Sequence, residues 1–181
     1  MKVLVACEFS GTVRDAFIRK GHDAISCDLE PSETPGPHYQ GPVQGILDQN
    51  WDMLIGHPPC TYLAVSGARW WAGRKQEQSD ALEFVRLLMN AKIPRIAIEN
   101  PIGKIGTAIR KANQIIQPWM FGHGETKATC IWLTGLPKLV PTNVVDGREA
   151  RIHRMAPSKN RQKERSRTYL GIAEAMAQQW G

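Results

Sequence analysis

Lys2-Val3-Leu4-Val5-Ala6-Cys7-Glu8-Phe9-Ser10-Gly11-Thr12-Val13-Arg14-Asp15-Ala16-Phe17-Ile18-Arg19-Lys20-Gly21-His22-Asp23-Ala24-Ile25-Ser26-Cys27-Asp28 decides the fold. Residues 2–7 are a short apolar run with β-branched members, which predicts a buried strand. Glu8-Phe9-Ser10-Gly11 reads as a turn. Residues 12–20 place Val13, Ala16 and Phe17 at helical spacing, and Gly21 stops the helix. Residues 23–28 predict a second strand that ends in an acid, Asp28. Strand, Gly-containing turn, helix, strand and acid is the opening βαβ unit of a nucleotide-binding α/β sheet.

The pattern continues outward. Residues 31–42 hold four prolines and two glycines and read as loop. A short edge strand is expected at 45–47 and a firm one at 53–55. Residues 70–75 read as loop. Ser79 is expected to cap a helix over 80–90, with apolar positions at helical spacing. Residues 95–98 predict another strand, followed by Glu99-Asn100-Pro101. A helix is expected near 105–111, a strand at 128–133 and a closing helix at 171–179. Residues 135–168 between them read as irregular and basic.

Three of these strands end in polar residues. Ligands of open α/β sheets bind outside the carboxyl ends of the strands, so these groups are expected to converge. The second group is Gly56-His57-Pro58-Pro59-Cys60-Thr61. Two prolines fix the backbone and remove its donors, so they present Cys60 on a stiff non-helical loop. That is a poor place for core packing and a good one for a nucleophile. A thiolate that attacks an electron-poor ring needs an acid to neutralise the charge that develops, and Glu99 can supply it. Asp28 can accept hydrogen bonds from ribose hydroxyls, or merely cap a strand end. Neither G-x-G-x-x-G nor G-x-x-x-x-G-K-[ST] occurs, which argues against a dinucleotide site and a phosphate-binding loop.

Phe9-Ser10-Gly11, Asp28, Pro58-Pro59-Cys60 and Glu99-Asn100-Pro101, in that order, resemble the C5-cytosine DNA methyltransferases, and in particular the short methylase-like proteins of phages and prophages. The resemblance covers roughly residues 1–135. It implies a Rossmann-like sheet with helices on both faces, S-adenosylmethionine as cofactor, and methylation of C5 of cytosine in DNA through a covalent Cys60 adduct, with Glu99 as the acid. Glu8, Phe9, Ser10, Gly11, Asp28 and Pro58 would hold the cofactor. Pro59 and Asn100 would flank the base. Thr61 to Gly67 would form a catalytic loop in which Ser66 and Gly67, with Arg69 beyond, touch the phosphate backbone. Lys127 and Thr129 would take the place of polar contacts from the family's Arg-rich strand. The residues 169–176 resemble the family's last motif, a turn and helix beside the cofactor. A restriction–modification setting follows from the phage-like resemblance.

The chain departs from the family at three places. Val43-Gln44-Gly45-Ile46 has no acid where one usually meets the adenine amine. Pro101 stands in place of Val after Glu-Asn. A large target-recognition domain is missing, and only the basic segment 135–168 occupies its place. Specificity would then come from that segment, from a homodimer, or from a partner. Two other readings stay open. An amino-methyltransferase acting on N4 of cytosine or N6 of adenine uses a D/N/S-P-P-aromatic motif, which His57-Pro58-Pro59-Cys60 matches only in its prolines. A non-catalytic methylase-like fold would bind nucleic acid through its basic residues.

Bulk properties fit a single globular domain over residues 1–181. Of the 181 residues, 42% are hydrophobic and 22% charged, enough for a core without staples. No run reaches the length of a membrane span, and the N-terminus reads as strand rather than signal peptide, so a cytoplasmic location is expected. The four cysteines form no C-x-x-C pair, and the five histidines share no ligand spacing, so no metal is expected. Cys7, Cys27 and Cys130 read as inert strand thiols. His57 reads as a residue that positions its loop, with general base as the other role. Trp70 and Trp71 read either as stacking groups or as a cover for the catalytic loop. The net charge of +6 is concentrated in Arg148, Arg151, Arg154, Lys159, Arg161, Lys163, Arg165 and Arg167. These form either a solvated surface or a phosphate-binding patch.

Overall fold

A computed structural model describes residues 1–158 and 161–181. Seven strands among the described residues make one sheet: β1 (Lys2–Ala6), β2 (Asp23–Asp28), β3 (His38–Gln40), β4 (Met53–Gly56), β5 (Arg95–Pro101), β6 (Gln114–Ile116) and β7 (Thr129–Thr134). Their spatial order is β3-β2-β1-β4-β5-β7-β6. β1 to β5 run parallel, while β7 is antiparallel to both β5 and β6. The chain winds outward from β1 to β3, then returns to β4 and winds the other way. The switch between β1 and β4 is where a ligand crevice forms in this architecture.

Parallel strands covered on both faces need apolar side chains in both directions, which is why residues 2–6 and 53–56 show no alternation. Val3, Val5, Met53 and Ile55 pack beneath α1 (Thr12–Arg19) and α6 (Leu170–Trp180). Leu4, Ala6, Leu54, Ile96 and Ile98 pack on the other face, beneath α2 (Lys75–Met89). α1 contributes Val13, Ala16 and Phe17, as its spacing predicts, and α2 contributes Leu82, Val85 and Leu88.

Several local expectations are corrected. The loop over 31–42 contains β3, whose three residues pair with Ser26 to Asp28. The edge strand expected at 45–47 is a 3-10 turn over Val43–Gly45. The loop at 70–75 is mostly a 3-10 helix, Val65–Gly73, separated from α2 by Arg74 in a non-helical conformation. α2 begins at Lys75 rather than after Ser79, because Lys75, Gln76 and Glu77 are good helix formers, and Ser79 lies inside the helix rather than at its cap. The helix near 105–111 is the single turn α3 (Ile105–Ala108), and β6 follows it as a three-residue edge too short to read from periodicity. The segment 135–168 is not wholly irregular. It carries two short helices, α4 (Arg151–Arg154) and α5 (Arg161–Ser166).

Candidate active site

β1, β4 and β5 are parallel neighbours, so their carboxyl ends lie side by side. Glu8 to Gly11, His57 to Cys60 and Glu99 to Asn100 come together there, although as many as 91 positions separate them in sequence. Two bonds tie the β4 loop to the end of β5. Asn100, buried, donates from Nδ2 to the Pro58 carbonyl at 2.7 Å. His57 Nδ1 lies 3.2 Å from Glu99 Oε2. The His57 N–H also continues the ladder onto Ala6 O at 2.9 Å. Pro58 is buried, Pro59 is exposed, and Cys60 is half-buried beside them.

The electrostatics push Cys60 and Glu99 in opposite directions. Burial pushes the Cys60 thiol above its ordinary value, and the Glu99 charge adds to that; Lys127 and Arg165 pull the other way without prevailing. Burial also pushes Glu99 up, but the His57 hydrogen bond, the charges of Lys127 and His57, and a Thr129 hydrogen bond outweigh it and hold the carboxyl below its usual range. Lys127 and Thr129 therefore stand beside Glu99. Register places Thr129 opposite Pro101 on β5. At rest the pair is a thiol and a carboxylate.

The β1–α1 turn is built differently from its expected use. The Glu8 carboxylate is buried and accepts the Val13 and Arg14 N–H groups at 2.6 and 3.1 Å, so it fills the N-terminus of α1. Ser10 Oγ bonds back to Glu8 and Thr12. Gly11 sits at φ 72°, and a Cβ there would collide with Thr34 and Arg14. The loop after β2 thus lies directly against this turn: Glu33 N donates to Phe9 O at 2.8 Å, and Thr34 Oγ1 to Ser10 O at 3.2 Å. Asp28 accepts the Glu30 N–H on Oδ1, and Oδ2 has no protein partner among the described residues. Leu29 beside it is 72% exposed. A free carboxylate oxygen next to an uncovered apolar side chain suits a ribose with an attached flat base.

Ser66, Gly67 and Arg69 lie on the 3-10 helix after Cys60, with Ser66 and Arg69 exposed and the Arg69 guanidinium 5.1 Å from the Trp70 ring centroid. Thr61 is exposed at the start of this segment. Among the described residues, no group of three or more His, Cys, Asp or Glu is placed to hold a metal ion. Cys27 and Cys130 are buried and Cys7 half-buried, and burial raises the pKa of all three, Cys27 to about 11.

The doubly wound sheet and its strand-end cluster define a Rossmann-like, methyltransferase-like fold. The structure is similar to that of the Entamoeba histolytica methyltransferase EhMeth, with a TM-score of 0.55 and 14% sequence identity over 80% of this chain and 57% of that one. The chain thus spans a little over half the length of that neighbour. The sequence matches no protein-family model and no curated protein.

Two groups beside the site, Arg14 and Glu33, escape sequence reasoning. Arg14 reads as a polar helix residue but is fully buried, and its guanidinium bonds Ser26, Ser32, Thr34 and Pro35. Glu33 accepts Arg167 at 2.7 and 3.0 Å and Lys163 at 3.2 Å. Lys163 Nζ also stands 4.8 Å from the centroid of the Phe9 ring. One available signal was the Pro/Gly-rich loop at 31–37, which has no apolar anchor and so needs polar ones.

Proposed function

We propose that the protein transfers a methyl group from S-adenosylmethionine to C5 of cytosine in DNA through a covalent Cys60 adduct. The observation that supports this most is the meeting of Cys60 and Glu99 at adjacent strand ends, with Asn100 holding the Pro58 carbonyl beneath the nucleophile. Asp28, Leu29 and the Phe9–Gly11 backbone would hold the cofactor.

Cys60 gives its proton to solvent, Glu99 takes one up from solvent, and the Cys60 sulfur bonds to C6 of the ring. The pair released from the ring moves to N3, which takes the proton from Glu99. C5 is now electron-rich. S-adenosylmethionine, when bound, supplies a methyl group to C5 and leaves as the neutral thioether. The C5 proton then passes to solvent, the C5–C6 double bond re-forms, and the C6–S bond breaks to return the Cys60 thiolate. N3 returns its proton to Glu99, which leaves the neutral methylated base and resets the acid. In a duplex the cytosine must leave the stack to reach Cys60.

Incubation with labelled S-adenosylmethionine and DNA containing 5-fluorocytosine tests the reading. A covalent protein–DNA adduct is expected, absent in Cys60→Ser. Methyl transfer undiminished in Cys60→Ser would assign the reaction to an exocyclic amine instead. Glu99→Gln is expected to lower turnover about a hundredfold or more, as for other positioned acids. Full activity in that variant would remove Glu99 from the mechanism.

A further inference from the structure

His57 is bracketed by acids at the site. Its ring is 8% exposed, its Nδ1 lies 3.2 Å from Glu99 Oε2 at the end of β5, and the charge of Glu8 reaches it from the end of β1. Its backbone N–H is pinned to Ala6 O at 2.9 Å, which fixes where the side chain leaves the end of β4. An ionised carboxylate only accepts hydrogen bonds, so Nδ1 must carry the proton. Nε2 is then either a bare acceptor or a second donor. It is buried and has no hydrogen-bond partner among the described residues. A buried polar atom left without a partner is costly, and such atoms concentrate where a ligand completes the site.

Glu99 has little else to hold its orientation. Its other contacts are the Thr129 hydroxyl and the charge of Lys127, while Cys60 and Arg165 complete the titratable and charged surroundings. The end of a long side chain would rotate among these unless one oxygen were fixed.

On the reading of the function given above, we propose that His57 is the positioning residue for Glu99: its Nδ1–H fixes Oε2, so that Oε1 alone addresses the N3 edge of the cytosine. With His57 donating, Glu99 stays below its ordinary range despite burial. Without the donor, burial is opposed only by Thr129 and Lys127, so the carboxyl moves up. Rate then depends on two groups of opposite need, Glu99 protonated and Cys60 ionised. The acid edge of the pH–rate plateau marks Glu99, and it moves to higher pH when the His57 bond is lost.

The test uses two variants and two kinds of readout. His57→Phe removes the donor. His57→Asn keeps an N–H close to the Nδ1 position without a titrating ring. Carbon NMR of labelled glutamate carboxyls, with Glu99 assigned from Glu99→Gln, is expected to show Glu99 titrating below 4.5 in the parent protein, distinctly higher in His57→Phe, and close to the parent in His57→Asn. Nitrogen NMR of the parent is expected to show the proton on Nδ1. Turnover is expected to fall on the order of tenfold to a hundredfold in His57→Phe, with the acid edge raised, and to recover most of that in His57→Asn. A proton on Nε2 and not on Nδ1, or a Glu99 titration unmoved in folded His57→Phe, would overturn the assignment. Both NMR readouts stand without any activity. Coupling present with no methyl transfer in the parent protein would therefore sink the proposed function and leave the His57–Glu99 unit intact.

Discussion

Cys60 combines a good nucleophile with an environment that keeps it protonated. Burial and Glu99 raise its pKa above 9.0, so below that value the thiolate fraction grows about tenfold for each pH unit. Alkylation by iodoacetamide, followed by mass spectrometry at Cys60, is expected to climb steadily through pH 9 without a plateau near 8. Removing the Glu99 charge lowers the thiol pKa, so Glu99→Gln is expected to alkylate roughly severalfold faster at pH 7 while turning over more slowly. Equal rates in the two proteins would show that the groups do not sense each other. Arg14 gives the second residue-scale case. Its buried guanidinium satisfies carbonyl and hydroxyl groups of residues 32–37, and the loop has few other partners to replace it. Arg14→Met would leave those acceptors unpaired. It is expected to cost on the order of 3 kcal/mol in urea unfolding, mostly as a lower midpoint. A loss under about 1 kcal/mol would mean the loop repairs its own hydrogen bonds.

At the scale of elements, α5 is strapped across the β1–α1 turn. Lys163 and Arg167 converge on Glu33, and Lys163 also covers Phe9. The helix has only six residues, too few to hold together by its own hydrogen bonds. Its order therefore depends on the strap. The Arg167 hydrogen bonds come first in holding the Glu33 carboxyl below 4.5, and those of Lys163 add to them. A carboxylate with a lowered folded-state pKa stabilises the fold at pH above its unfolded value, and that support is lost as pH falls through the folded value. Hydrogen exchange at residues 161–167 is thus expected to be slow at neutral pH and to be faster in Glu33→Gln wherever Glu33 is ionised in the parent protein. In the parent protein, protection should disappear only below pH 4.5, after correction for intrinsic exchange. Both partners are over a third exposed, so added salt should weaken the strap as well. Exchange unchanged in Glu33→Gln would show that contacts other than this carboxylate hold α5.

The whole molecule shows which features of a fold a single sequence can carry. The long parallel strands and the helices α1, α2 and α6 were legible because burial on one or two faces leaves a local apolar period. The meeting of residues 8–11, 57–60 and 99–100 was legible because polar residues and prolines at the ends of parallel strands mark one edge of the sheet. β3 and β6 were not, since three-residue edges take their structure from a neighbour rather than from their own pattern. The internal pairing of the basic segment was hidden for a related reason. Charge is visible in sequence, but the partner that neutralises it is remote. Arg148 bonds three backbone carbonyls and stacks on Trp119, Arg151 pairs with Glu125, and Lys163 and Arg167 pair with Glu33. Arg154, Arg161 and Arg165 remain without an ion pair among the described residues, and Lys159 lies outside them. On the proposed function this changes what the described part of the segment can offer to DNA. Eight cations on phosphates would give a slope of about −7 in log affinity against log salt, whereas the three free ones described would give about −3. Anisotropy titrations of a labelled duplex between low and moderate salt are expected to return the shallower value. In Glu33→Gln, Lys163 and Arg167 are released to the phosphates, and the slope should steepen by up to about 2. A slope near −7 in the parent protein would mean that DNA breaks the internal pairs on binding, and then Glu33→Gln should leave the slope where it was.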